Sequence, residues 1–164
     1  MGGFISGGLE AGVFNINQTE IKMQKVLLPF DGSESARRAL QYLVTAARSY
    51  PGLEVHVLNV QPTIILHGDY LSLDMLKKLD DGALQHAAEI NAEAIKLLTA
   101  ANIRCFGHET IGEVIGAVGK AVQDLGCDTV VMGTRGMSNL SNLMLGSVAT
   151  RVVHEVTVPV LLVK

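Results

Sequence analysis

The sequence predicts an open α/β fold, a five-stranded parallel sheet sandwiched by helices. Short runs rich in Val and Leu alternate with longer stretches whose apolar residues recur at helical spacing. That alternation builds a parallel sheet through right-handed crossovers, with helices on both faces. One of the apolar runs, Thr129-Val130-Val131-Met132, leads into Gly133-Thr134-Arg135-Gly136, then nine residues, then Gly146-Ser147-Val148. A strand, a glycine-punctuated loop and a helix start form an anion cradle, because the first N–H groups of a helix have no partner within it. The spacing is neither G-x-x-x-x-G-K-[ST] nor G-x-G-x-x-G.

The elements follow in order. Val26-Leu27-Leu28-Pro29-Phe30 is the first strand and ends at Asp31-Gly32-Ser33. Ser33 or Ser35 caps a helix with Ala36, Leu40, Leu43, Val44 and Ala47 on one face, and Tyr50-Pro51-Gly52 stops it. Val55 to Val60 is the second strand. Residues 61 to about 80 read as a long connection holding a short helix near Leu71 to Lys78. A helix follows with Ala83, Ala87, Ile90, Ala94 and Leu97 on one face, then a weaker strand from Arg104 to Thr110. Val114, Ala117, Val118, Ala121 and Leu125 mark the next helix, along which Gly112, Gly116 and Gly119 recur at a spacing suited to close packing. After the glycine loop a helix runs from about Ser147, a good N-cap, to Glu155, and the apolar stretch Val158 to Lys164 closes the sheet.

The bulk composition narrows the function classes. The chain has 164 residues, 48% hydrophobic and 18% charged, enough apolar material for one domain core. A net charge of -3 argues against a sequence-independent nucleic-acid binder. No apolar run approaches the roughly 20 residues that span a bilayer, and the first Lys is Lys22, so no signal-peptide n-region is present. Cys105 and Cys127 lack metal or disulfide-scaffold spacing, which points to a reducing, cytoplasmic setting. Residues 1–21 are Gly-rich without a sustained period and read as a flexible extension, an expression remnant or a short docking arm; residues 22–164 form the domain.

The residues 26–33 (Val-Leu-Leu-Pro-Phe-Asp-Gly-Ser), the motif Met-Gly-x-x-Gly-x9-Gly-Ser-Val at 132–148 and the terminal Pro-Val-Leu-Leu-Val-Lys at 159–164 together resemble the universal stress protein family. The resemblance covers about residues 23 to 164. It implies a Rossmann-like, adenine nucleotide alpha hydrolase-like sheet and a homodimer, and the intact glycine motif implies the ATP-binding branch. By that resemblance Asp31 accepts from ribose hydroxyls, Pro29 lines the adenine pocket, Val60 offers backbone groups to the adenine edge, and Met132 leads the motif. Gly133 and Gly136 allow close approach to ribose and phosphate. Gly146, Ser147 and Val148 offer N–H groups, with a hydroxyl from Ser147.

Each residue also has a plainer reading. Asp31 in Asp-Gly-Ser suits a turn or cap. Arg135 either touches phosphate or faces solvent. The loop is either a phosphate cradle or an ordinary surface loop, although Met137, Leu140, Leu143, Met144 and Leu145 give it apolar groups to bury. His56, His67, His86, His108 and His154 are scattered, and Glu89, Glu93 and Lys96 read as a solvated helix face. No catalytic carboxylate pair, protein metal site or P-loop Lys is identifiable. The expectation is therefore an ATP-binding regulatory protein of stress response, with Mg²⁺ or Mn²⁺ carried by the phosphates and an unidentified protein partner. A slow ATPase or nucleotidyl hydrolase at the same site is the first alternative, and a nucleotide-independent interaction protein the second. The homodimer is expected through Pro159–Lys164, an apolar terminal strand that would otherwise leave a bare edge.

Overall fold

Residues 23–64, 72–136 and 145–164 are described by the computed structural model. The elements run β1 (Lys25–Pro29), α1 (Glu34–Ala46), β2 (Glu54–Gln61), α2 (Leu73–Ala100), β3 (Arg104–Ile111), α3 (Val114–Leu125), β4 (Thr129–Gly133), α4 (Ser147–Glu155) and β5 (Val160–Val163). All strands pair in parallel in the order β3-β2-β1-β4-β5. This is the α/β sheet that the alternating pattern predicts. The winding direction reverses between β1 and β4, and in such sheets ligands bind beyond the carboxyl ends of the strands at that point.

Strand alternation sorts the core into two layers. Val26, Leu28 and Phe30 of the β1 segment face α1 and α2, packing on Leu40, Leu43, Ala94 and Leu98. Leu27 and Leu58 face the other way, with Val130 and Met132, against Val118 and Val122 of α3 and Val152 of α4. Each fully buried Leu or Val contributes about 1.5–3 kcal/mol, so both helical layers are held mainly by the central strands. The edges differ: every β5 residue is only half-buried, and much of β3 is exposed.

Three expectations need correction. The stretch near Leu71 to Lys78 is no separate helix, because α2 is one helix of 28 residues from Leu73. Asp80-Asp81-Gly82 interrupts the apolar period, yet the helix runs through it at the modest cost of a helical Gly, about 1 kcal/mol. The recurrent glycines of α3 do not serve close packing. Gly112 precedes the helix at φ +151°, a Cβ on Gly119 would meet nothing within 4 Å, and one on Gly116 would meet only the Glu113 carboxylate at 3.5 Å. Glu93 does not simply face solvent: it takes a bidentate pair from Arg37, at 2.6 and 2.9 Å, which ties α2 to α1. Residues 1–22, 65–71 and 137–144 lie outside the described residues, and with them the N-terminal extension, His67, Met137, Leu140, Leu143 and Met144.

Candidate functional site

A cavity of about 420 Å³ opens where the sheet order reverses. It is lined by Pro29, Asp31, Val60, Met132, Gly133, Arg135, Gly136, Gly146, Ser147 and Val148. These are the residues singled out in the sequence, brought together from β1, β2, β4 and α4. Phe30, Leu58, Val114 and Ala149 complete the wall. Sequence reasoning missed these four because each is apolar at a core-facing period and carries no polar signal.

On the β1 side the chain turns on side chains. The Ser33 hydroxyl accepts from Ala36 N–H at 3.2 Å and caps α1, which settles the choice between Ser33 and Ser35. Asp31 Oδ1 accepts from Ser33 N–H at 3.0 Å, so the turn reading of Asp31 holds for that oxygen. Its other oxygen faces Gly136, where a Cβ would lie 3.0 Å from Oδ2. The Phe30 peptide is fastened to β2 at both ends. Its N–H donates to Leu58 O at 2.9 Å, and its carbonyl accepts from the Asn59 carboxamide at 2.7 Å.

Along a parallel strand, alternate residues turn their N–H and C=O to the same side. Leu58 O points to β1, so the backbone groups of Val60 point the same way, past the end of β1. They face the cavity mouth rather than a strand.

On the β4 side the geometry rests on backbone. Thr134 N–H donates to Val163 O at 3.1 Å, and Gly146 N–H donates to Thr134 O at 2.7 Å, which closes the base of the loop. A Cβ on Gly146 would press Thr134 O at 3.2 Å and Arg135 Cα at 3.4 Å. Arg135 N–H donates to the Ser35 hydroxyl at 3.2 Å, while the residue itself is exposed. Leu145 packs on the core layer beneath α4, so one of the loop's apolar residues is indeed partly buried.

Two expectations shift here. Gly133 serves the packing of α1 first, since a Cβ there would sit 2.5 and 2.6 Å from the Ser35 carbonyl carbon and oxygen. Ser147 is not the N-cap of α4. Gly146 holds that position, its carbonyl accepting from Thr150 N–H, and among the described residues no side chain caps the helix. The helices α1, α2 and α3 are capped by Ser33, Ser72 and Glu113. The α4 N-terminus thus presents uncapped N–H groups and its positive dipole end at the cavity wall.

The charged lining residues are Asp31 and Arg135. Among the described residues no group of three His, Cys, Asp or Glu could hold a metal ion. The oxygens here, from Asp31 and Ser147, are of the hard type that Mg²⁺ favours. Among the described residues no helix is long and apolar enough to cross a membrane.

Away from the cavity, the strand register makes one cluster that sequence spacing hides. Glu54, His56 and His108 form a chain on β2 and β3. His56 Nε2 lies 2.9 Å from Glu54 Oε1, and His56 Nδ1 lies 2.8 Å from His108 Nε2. His56 also stacks on Phe106. Burial and the neighbouring His56 hold the His108 pKa below its ordinary value. The hydrogen bond from His56, with Lys25 and Arg104, holds Glu54 low.

The comparisons agree with the fold and with the family resemblance. The model of the universal stress protein family matches residues 22–164, and the chain belongs to that family. A universal stress protein of Thermus aquaticus is 31% identical over 144 residues, 85% of this chain and 97% of that protein. The structure of MJ0577 from Methanocaldococcus jannaschii superposes with a TM-score of 0.76 at 27% identity, covering 87% of this chain and 96% of that one. A universal stress protein family member from Arabidopsis thaliana with AMP bound superposes at 0.62 with 14% identity, over 86% and 91% of the two chains.

Proposed function

We propose that the protein binds an adenine nucleotide, ATP in the first instance, in the switch-point cavity. Its occupancy then changes a surface read by a protein partner, in a homodimeric regulator of stress response. The observation that carries this reading is the uncapped α4 N-terminus facing the same cavity as the second oxygen of Asp31. Helix N–H groups suit a phosphate, a carboxylate suits ribose hydroxyls, and the Val60 backbone suits a base edge. Nucleotides in universal stress protein relatives, AMP among them, support the same ligand class. Mg²⁺ or Mn²⁺ would enter on the phosphates.

Turnover is slow in this reading. Asp31 is the acidic lining residue, and one of its oxygens is already held by Ser33 N–H. Among the described residues no Lys lines the wall, and the Met137 to Met144 sequence holds no acid, Lys or His. The homodimer forms through β5, the sheet edge next to β4, by antiparallel pairing with a second copy.

Mass spectrometry of the protein as purified, denatured to release bound nucleotide, tests the ligand. Calorimetry against ATP, AMP and cyclic AMP, with and without Mg²⁺, ranks the nucleotides. Failure to bind any of them refutes the reading. Metal-dependent release of ADP or AMP near the ordinary enzyme median of about 10 per second would make the protein an enzyme instead. Sedimentation of the intact chain and of one lacking residues 160–164 tests the dimer, and an intact chain that stays monomeric at tens of micromolar refutes it.

A further inference from the structure

Asn59 lies beneath the cavity, outside its lining. It is 2% exposed and sits on the α1/α2 side of β2 with Val55 and Val57. A buried carboxamide costs stability unless its groups are paired, and this one is paired in a directed way. Its Nδ2 donates to Phe30 O at 2.7 Å, and its Oδ1 accepts from Gln61 Nε2 at 2.6 Å. Phe30 O can only accept, which sets the Nδ2 end of the amide toward it, and the bond from Gln61 holds that orientation at the other end. No backbone bond joins Val60 N–H to Phe30 O, although that is the next step of a β1–β2 ladder.

We infer that Asn59, oriented by Gln61, is a positioning residue that sets the Asp31 carboxylate for ribose and so makes the site selective for nucleotides with free 2′ and 3′ hydroxyls. The inference rests on the adenine-nucleotide reading. The Phe30 carbonyl and the Asp31 N–H belong to one peptide plane, so fixing the carbonyl fixes the start of Asp31. Ser33 N–H then holds Oδ1, and Oδ2 is left facing Gly136 and the cavity. Without the Asn59 amide the nearest replacement donor is Val60 N–H. Taking it would extend the ladder into the turn, shift Asp31 and spend a group that faces the cavity mouth.

The test compares ATP with 2′,3′-dideoxy-ATP by calorimetry. The intact protein should bind ATP about tenfold more tightly, the worth of a hydrogen bond to a charged group. Asp31→Ala should bring the ratio near one. Asn59→Leu, which keeps the branching and the number of side-chain heavy atoms but has no donor, should lower the ratio in the same way and leave the dideoxy affinity within about twofold. The double variant should lose no more than either single one. Asn59→His, whose Nδ1–H is attached at the same Cγ, should restore the ratio. If Asn59→Leu does not fold, Gln61→Met frees the amide while keeping the carbonyl's partner, and a ratio lowered about twofold supports the relay. An unchanged ratio in folded Asn59→Leu or Gln61→Met, or equal losses for both ligands, overturns the assignment alone. An intact protein that binds neither nucleotide overturns the adenine-nucleotide reading and the assignment with it.

Discussion

The two walls of the cavity are built by opposite means. At the end of β1 the turn is short and side chains do the fixing: Asp31 holds Ser33 N–H, Ser33 caps α1, and Asn59 holds the Phe30 carbonyl. At the end of β4 the fixing is done by backbone, through the Thr134 and Gly146 hydrogen bonds, and among the described residues no side chain caps α4. Helix N-termini are ordinarily satisfied from within the protein. Satisfying α1 and leaving α4 open divides the labour, one wall offering an oriented carboxylate and the other N–H groups.

Four variants break or sharpen that contrast. The largest effect belongs to Gly133→Val. Its Cβ meets Ser35 backbone that cannot swing away, so the two walls should part at a cost of about 3 kcal/mol or more. For a domain of this size that is a melting-point loss of roughly 6–12 °C, at about 2–4 °C per kcal/mol. A loss below about 2 °C would mean that α1 is free to move, and that Gly133 is left for the ligand.

Gly146→Val should act on the β4 wall alone. Its Cβ presses Thr134 O and Arg135 Cα less severely, so stability should fall by about 1 kcal/mol while ATP affinity drops at least about thirtyfold in calorimetry. Unchanged affinity in a folded variant would move the phosphate away from this loop.

The serines give the sharpest contrast. Ser33→Ala removes a helix cap and should cost about 1 kcal/mol of stability in chemical denaturation. Ser147→Ala removes a hydroxyl that caps nothing, so stability should hold and ATP affinity should fall about threefold. Equal stability losses in the two would erase the distinction between the walls.

The smallest effect lies outside the cavity and serves as a control. His108 titrates below its usual value of 6.5 in the fold, so the unfolded chain binds its proton first as pH falls. Its contribution is whole above 6.5 and is lost as pH drops through the lowered folded value. Glu54, also held below its ordinary 4.5, loses its share further down. Melting temperatures should therefore fall as the pH drops below the ordinary 6.5 of a histidine, and fall less in His108→Gln. A variant that follows the same slope as the parent chain would clear His108 of that role.

The sequence made the sheet legible because strand and helix periods differ, and the helix bounds of α3 and α4 could be read nearly to the residue. It also marked the chemistry-bearing lining, since glycines, an Asp and a Ser at strand ends are unusual against an apolar background. The parts it hid depend on strand register. Which residue stands behind Gly133, which two of five histidines touch, and which carbonyl Asn59 reaches are long-range facts, the last two with separations of 52 and 29 residues. Phe30, Leu58, Val114 and Ala149 were hidden for another reason, because an apolar residue lining a cavity follows the same pattern as one in a core.

Beneath the cavity, β1 and β4 are in register over Val26–Thr129 and Leu27–Val130, whereas β1 and β2 share five pairs. The Asp128 carboxylate clasps the lower end, accepting from Gln24 N–H and Lys25 N–H at 2.9 Å each. Mechanically this is a book with its spine at Asp128 and its open fore-edge at the cavity. One cover is β1–β2–β3, and the other is β4–β5, which carries the outer edge of the sheet. A ligand bound at the fore-edge and a second copy docked on the β5 edge, as proposed above, would press on the same cover. Thermodynamic linkage makes any such coupling reciprocal: whatever the first does to the affinity of the second, the second does to the first by the same factor.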